Sequence, residues 1–141
     1  MFSPETVDNM HRGLHFVVFR VPALAYMGFI YYLSSGPATS PILNSIPDYY
    51  LHGFGYSVLY VLVFWAFHEG LDSSKNHGGY WIPAVVTVLY GMSDEYHQSF
   101  VPFRDSSIHD VLADAAGAFV GIGLVALAAR AISRFRTQRV T

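Results

Sequence analysis

The chain has 141 residues, 52% of them hydrophobic and only 13% charged, with 11 Phe and 10 Tyr. A soluble domain carries about 25% charged residues, so this composition points to the lipid bilayer as solvent. The net charge of −2 gives no electrostatic reason for nucleic-acid binding, and the absence of cysteine excludes disulfides and thiolate metal sites.

The first ten residues carry Glu5 and Asp8 and no early basic run, so a cleaved signal peptide is not expected. The first apolar stretch should stay as an anchor. A spanning helix needs about 20 mostly apolar residues, and four stretches qualify as candidates within one domain covering residues 1–141, with no internal repeat or linker. The first runs from about Leu14 to Leu33 and is interrupted by Arg20 and Pro22. Arg20 is close enough to its start to snorkel back to the interface. The second, about Tyr49 to Phe67, holds no Asp, Glu, Lys or Arg.

The third and fourth are mirror images. Tyr80 to Ser93 is uncharged but short, and reaching Phe100 brings Asp94 and Glu95 inside. Ala115 to Ala129 is uncharged, and extension back to Ile108, for a span of about 108–130, includes Asp110 and Asp114. At about 1.5 Å per residue, Asp94 and Asp114 each lie roughly 9 Å in from the end of their segment, which predicts two facing helix ends. The expected fold is an all-α integral membrane protein, a bundle of four transmembrane helices.

Lys and Arg set the orientation. Arg130, Arg134, Arg136 and Arg139 follow the last span and place it in the cytoplasm by the positive-inside rule. Four crossings then put both termini inside, with Arg12 and the Lys75 loop, and leave only Arg104 outside. Six of the ten acids (Asp48, Asp94, Glu95, Asp105, Asp110, Asp114) gather on the outer face. Residues distant in sequence are expected to meet there, including Ser34, Ser35 and His52. His68, Glu69, Asp72, Lys75 and His77 are expected in a solvated inner loop. Trp65, Tyr80 and Trp81 are expected in the inner aromatic belt.

Three blocks resemble the VanZ-like family of small membrane proteins, named for a member linked to teicoplanin resistance. They are Tyr31-Tyr32-Leu33-Ser34-Ser35; Pro47-Asp48-Tyr49-Tyr50-Leu51-His52 with Tyr56; and Asp94-Glu95-Tyr96-His97-Gln98 through Val101-Pro102-Phe103-Arg104 to Asp110, Asp114 and Gly117. Two positions depart from the family pattern. Phe103 stands where the family usually has Gly, and Asp114 where it often has Asn. The resemblance implies four spans, a plasma-membrane location and a link to the cell envelope or to glycopeptide response.

Helical spacing puts Asp48, His52 and Tyr56 on one face, Asp94 and Gln98 on another, and Asp110, Asp114, Gly117 and Gly121 on a third. Gly117-x-x-x-Gly121 is a close-packing pair. The polar cluster admits three readings. As polar glue, Arg104 pairs with Glu95 or Asp110, and Asp48–His52 and Asp94–Gln98 tie the helices together. As a headgroup pocket for a membrane lipid or lipid-linked cell-wall precursor, Arg104 takes a phosphate. Asp48, His52, Tyr56, Asp94, Glu95, Gln98, Asp110 and Asp114 then shape the rest of the site. As a hydrolase or transferase, the carboxylates and His52, His97 or His109 hold a divalent cation, Mg²⁺ or Ca²⁺, with Glu95 or His52 as general base. Arg104, His109 and Asp114 lack the spacing of a histidine-nucleophile lipid phosphatase.

Overall fold

A computed structural model describes residues 4–36, 47–70, 79–104 and 106–138. Asp72, Lys75, His77, Asp105 and Arg139 lie outside these residues. Among the described residues every regular element is helical: α1 (Pro4–Phe19), α2 (Val21–Ser34), α3 (Asp48–His68), α4 (Trp81–Gln98) and α5 (Ile108–Gln138).

α1 and α2 divide at Arg20, but backbone bonds run across the junction, from Arg20 N to Phe16 O (2.8 Å) and from Leu24 N to Arg20 O (3.2 Å). The interruption has a local cause. Pro22 has no N–H to give the carbonyl four residues back, and that carbonyl, Val18 O, accepts the indole N–H of Trp65 at 3.3 Å instead. The first expected stretch is thus two helical segments joined at Arg20, and Trp65 on α3 is tied to its bend. Glu69, beyond the end of α3, is 4.0 Å from Arg20 Nη2 and 3.5 Å from His15 Nε2.

Among the described residues, three helical stretches are long and apolar enough to cross a membrane: Asp8–Ser34, Asp48–His68 and Ile108–Phe135. Their outward surfaces carry Leu14, Leu24, Phe29, Phe54, Phe119, Leu124 and Leu127, all exposed, as expected of faces solvated by lipid tails. α4 is not among the three. Its first three turns are apolar, but its last carries Asp94, Glu95, His97 and Gln98.

α3 and α5 form the most extensive helix contact. Glycine makes this possible. A Cβ on Gly117 would collide with the carbonyl oxygen of Gly53, and one on Gly121 would press into the ring of Tyr60. α4 packs on both helices, burying Tyr60, Phe64, Ala84, Ala118 and Val125 between them. α2 closes the other flank through Ala23, Tyr56, Leu59 and Val63, and Tyr90 on α4 donates to Met27 O at 2.6 Å. His68 differs from its expected solvated position. α3 continues through it, and the buried ring stacks on Phe64 at 3.9 Å while its Nδ1 lies 3.1 Å from Phe64 O.

Candidate functional site

The C-terminal ends of α2 and α4 and the N-terminal ends of α3 and α5 meet at one end of the bundle. Ser34, His52, Tyr56, Asp94, Glu95, Gln98, Asp110 and Asp114 are all buried there. Buried ionisable groups need partners, and here Gln98 supplies one from within α4 while the others cross between segments.

Asp94 is fully satisfied. Ser34 Oγ of α2 donates to Oδ1 at 2.6 Å, and Gln98 Nε2 donates to Oδ2 at 3.0 Å. Glu95 holds the start of α5, accepting the Ser107 backbone N–H on Oε2 at 2.9 Å. Ser107 in turn accepts the His109 N–H on its hydroxyl at 3.1 Å, the arrangement of a helix N-cap. Glu95 Oε1 faces Gln98 Nε2 at 3.4 Å and His52 Nδ1 at 3.7 Å.

His52 pairs with Asp114 rather than with Asp48, its neighbour on the same helix face. Nδ1 is 3.0 Å from Asp114 Oδ1. This contact exists because α4 carries glycine at the crossing: a Cβ on Gly91 would overlap the Asp114 carboxylate. Asp114, at a position where the resembling family often has Asn, is fully buried in that niche. Tyr56, one turn beyond His52, lies nearly parallel to the imidazole (ring centroids 6.1 Å apart, 5° between planes). Within the site, Tyr56 OH and Asp114 Oδ2 are buried with no hydrogen-bond partner; Arg20 Nη1, outside it, is the third such atom among the described residues.

Arg104 neither pairs with Glu95 nor with Asp110. Its Nε donates to Gly36 O at 3.0 Å and its Nη2 to Leu33 O at 2.8 Å, satisfying carbonyls that the end of α2 leaves open. Nη1 remains toward Asp48, 3.9 Å from Oδ2. Arg104 is delivered by the turn after α4, where Phe103 adopts a left-handed φ of 65°. Glycine takes that conformation without steric cost, so the turn keeps a glycine-type backbone although Phe occupies it. His97 sits at the rim, with Nε2 3.1 Å from Ser35 Oγ and its ring 4.5 Å from Tyr31.

The site therefore brings together Asp48, His52, Tyr56, Asp94, Glu95, Gln98, Arg104, Asp110 and Asp114 at one end of the bundle, while Asp105 lies outside the described residues. It also recruits three that the sequence reading left aside. Gly91 makes room for Asp114, the Ser107 amide binds Glu95, and the Leu33 and Gly36 carbonyls hold Arg104. A glycine three residues before the Asp-Glu pair was the only advance signal for the first.

A model of the VanZ/LLP1 family matches residues 13–129, from within α1 through most of α5. The chain belongs to the VanZ/LLP1 family. No curated protein and no solved structure matches it. Family membership and the three apolar helical stretches fit a membrane protein of the VanZ type.

Proposed function

We propose that this VanZ-family protein crosses the plasma membrane four times, with both termini in the cytoplasm. At the outward end of the bundle it binds the polar headgroup of an envelope lipid or lipid-linked cell-wall precursor. The reading rests on one observation: a buried polar site drawn from four helices, surrounded by lipid-facing apolar surface, retains unpaired polar atoms in Tyr56 and Asp114. Polar groups at membrane depth that serve only as glue are expected to be paired. Exposed aromatics at that end (Tyr32, Tyr49, Tyr50, Tyr96 and Phe100) supply the amphipathic belt of an interface.

In this reading α4 is the fourth crossing. Its eighteen residues reach about 27 Å, close to the roughly 30 Å hydrocarbon core. Its acidic last turn is covered by α2, α3 and α5. The Arg130 and Arg134 end of α5 is cytoplasmic, as is the Glu69 end of α3. Arg104 offers a phosphate its Nη1 edge, the edge not used on the Leu33 and Gly36 carbonyls, and Asp48, Asp94, Glu95, Gln98, Asp110 and Asp114 line the remainder. A role in glycopeptide response of the teicoplanin type follows if that headgroup belongs to a cell-wall precursor.

One contact favours a hydrolase or transferase as second reading. Asp114 holds His52 by Nδ1 at 3.0 Å, as a carboxylate orients an imidazole base, and Glu95 stands beside it at 3.7 Å.

Native mass spectrometry on gently solubilised protein tests the headgroup reading. Wild type should retain a phosphate-bearing lipid, and Tyr56→Phe and Arg104→Ala should each lose it. Tyr56→Phe breaks no protein hydrogen bond, so its loss of lipid reports the site and not the fold. Lipid retention unchanged in both variants would overturn the proposal.

A further inference from the structure

The mouth of the site carries a second constellation, which shares His52 with the buried network and adds Asp48 and Asp110. Asp48 and His52 stand one turn apart on α3, and Asp110 faces them from the first turn of α5. One ligand atom from each lies within 4.8 Å of the other two. We propose that Asp48, His52 and Asp110 bind a divalent cation of Ca²⁺ or Mn²⁺ size.

Three further observations point to a ligand there. Asp110 is only 7% exposed, yet its carboxylate makes no hydrogen bond or ion pair with any described residue. A carboxylate with so little exposure and no described partner is favoured by a cation beside it. His52 is already oriented: Asp114 fixes the ring through Nδ1, which leaves Nε2 as the free ligand nitrogen. A buried carboxylate behind a histidine is the outer-shell support that metal-binding imidazoles use. The charge balance agrees. Asp48, Asp94, Glu95, Asp110 and Asp114 share this end of the bundle with one guanidinium, which lies 3.9 Å from Asp48 and has two of its nitrogens bonded to the Leu33 and Gly36 carbonyls.

Size and ligand type narrow the choice of ion. No nitrogen of His52 comes within ion-pair distance of Asp48 or Asp110, so the trio is open rather than collapsed. Ca²⁺ with bonds of about 2.3–2.6 Å bridges such a spread, whereas Mg²⁺ at about 2.0–2.1 Å requires the ligands to contract. Two carboxylates and one imidazole suit Mn²⁺ as well as Ca²⁺, and the absence of thiolate disfavours softer ions. Asp48 has a half-exposed side chain and gives the ion its way in.

The cation site does not depend on the headgroup reading, and lipid-free protein tests it. Chelator-treated, delipidated protein in detergent is titrated with Mn²⁺, and free Mn²⁺ is followed by electron paramagnetic resonance. One Mn²⁺ should bind per chain, with imidazole nitrogen coupling in the spin-echo spectrum, and Ca²⁺ should displace it. Asp48→Asn and Asp110→Asn should each weaken binding at least tenfold, and His52→Gln should remove the nitrogen coupling. The half-exposed Asp48 position makes Asp48→Asn a variant that keeps the fold, which circular dichroism verifies. Absence of saturable binding, or Mn²⁺ held equally well by Asp48→Asn, would overturn the proposal whatever lipid the protein carries.

Discussion

Replacing Gly117 by alanine adds one methyl group where α5 passes against the backbone of α3. The new Cβ would meet the Gly53 carbonyl oxygen, with Gly53 C and Ser57 N each at 3.1 Å. All three are backbone atoms of α3, so no rotamer change relieves the contact and the helices must separate. Overpacking of this kind costs about 1–3 kcal/mol, and a clash with rigid backbone belongs at the upper end. The alanine recovers up to about 1 kcal/mol of helix propensity over glycine, which leaves a net loss of about 2 kcal/mol. Gly123 on the same helix is the control, because a Cβ there meets nothing within 4 Å. Gly123→Ala should be neutral or stabilising by up to about 1 kcal/mol. Reversible unfolding in mixed micelles, monitored by circular dichroism, should separate the two variants by about 3 kcal/mol. Gly117→Ala should also weaken Mn²⁺ binding, since Asp110 rides on α5 and His52 on α3. Equal stability of the two variants would refute the close α3–α5 contact and the site geometry built on it.

Phe103→Gly should stabilise the protein by up to about 1 kcal/mol, because the φ of 65° costs a non-glycine residue about 1–3 kcal/mol and glycine loses part of that gain through chain entropy. The side chain is 92% exposed, so no packing is lost; a lowered unfolding midpoint would contradict the assigned turn. Ser34→Ala removes the 2.6 Å bond to Asp94 and leaves one oxygen of a buried carboxylate with no donor. It should cost about 1–3 kcal/mol in the same unfolding assay, and a cost near zero would mean that Asp94 does not depend on α2.

The amino-acid sequence by itself determined the elements and their company. Long apolar stretches with few charges dictate helices in a bilayer. The period of 3.6 residues places Asp48, His52 and Tyr56 on one face and Asp110 with Asp114 on another. The Asp-Glu-Tyr-His-Gln block, with the residues after it, carries the family. Composition also made α4 the weakest of the helices to read, because its apolar run ends in an acidic turn.

Only the tertiary structure decided who pairs with whom. Contacts between helices depend on axial rotation, offset and separation, which no local spacing encodes. Gly117 against Gly53 sets how closely α5 meets α3. Gly91 then opens the niche that turns Asp114, and not Asp48, into the partner of His52. The same packing brings Asp48 and Asp110 close to His52, one ligand atom of each within 4.8 Å of the others. Arg104 looked like a partner for acids, yet its reach after the Phe103 turn brings it to the Leu33 and Gly36 carbonyls. His68 looked like a loop residue, but α3 runs one residue further than expected and stacks it on Phe64. The sequence supplied the charges, and glycine-limited distances between helices assigned their partners.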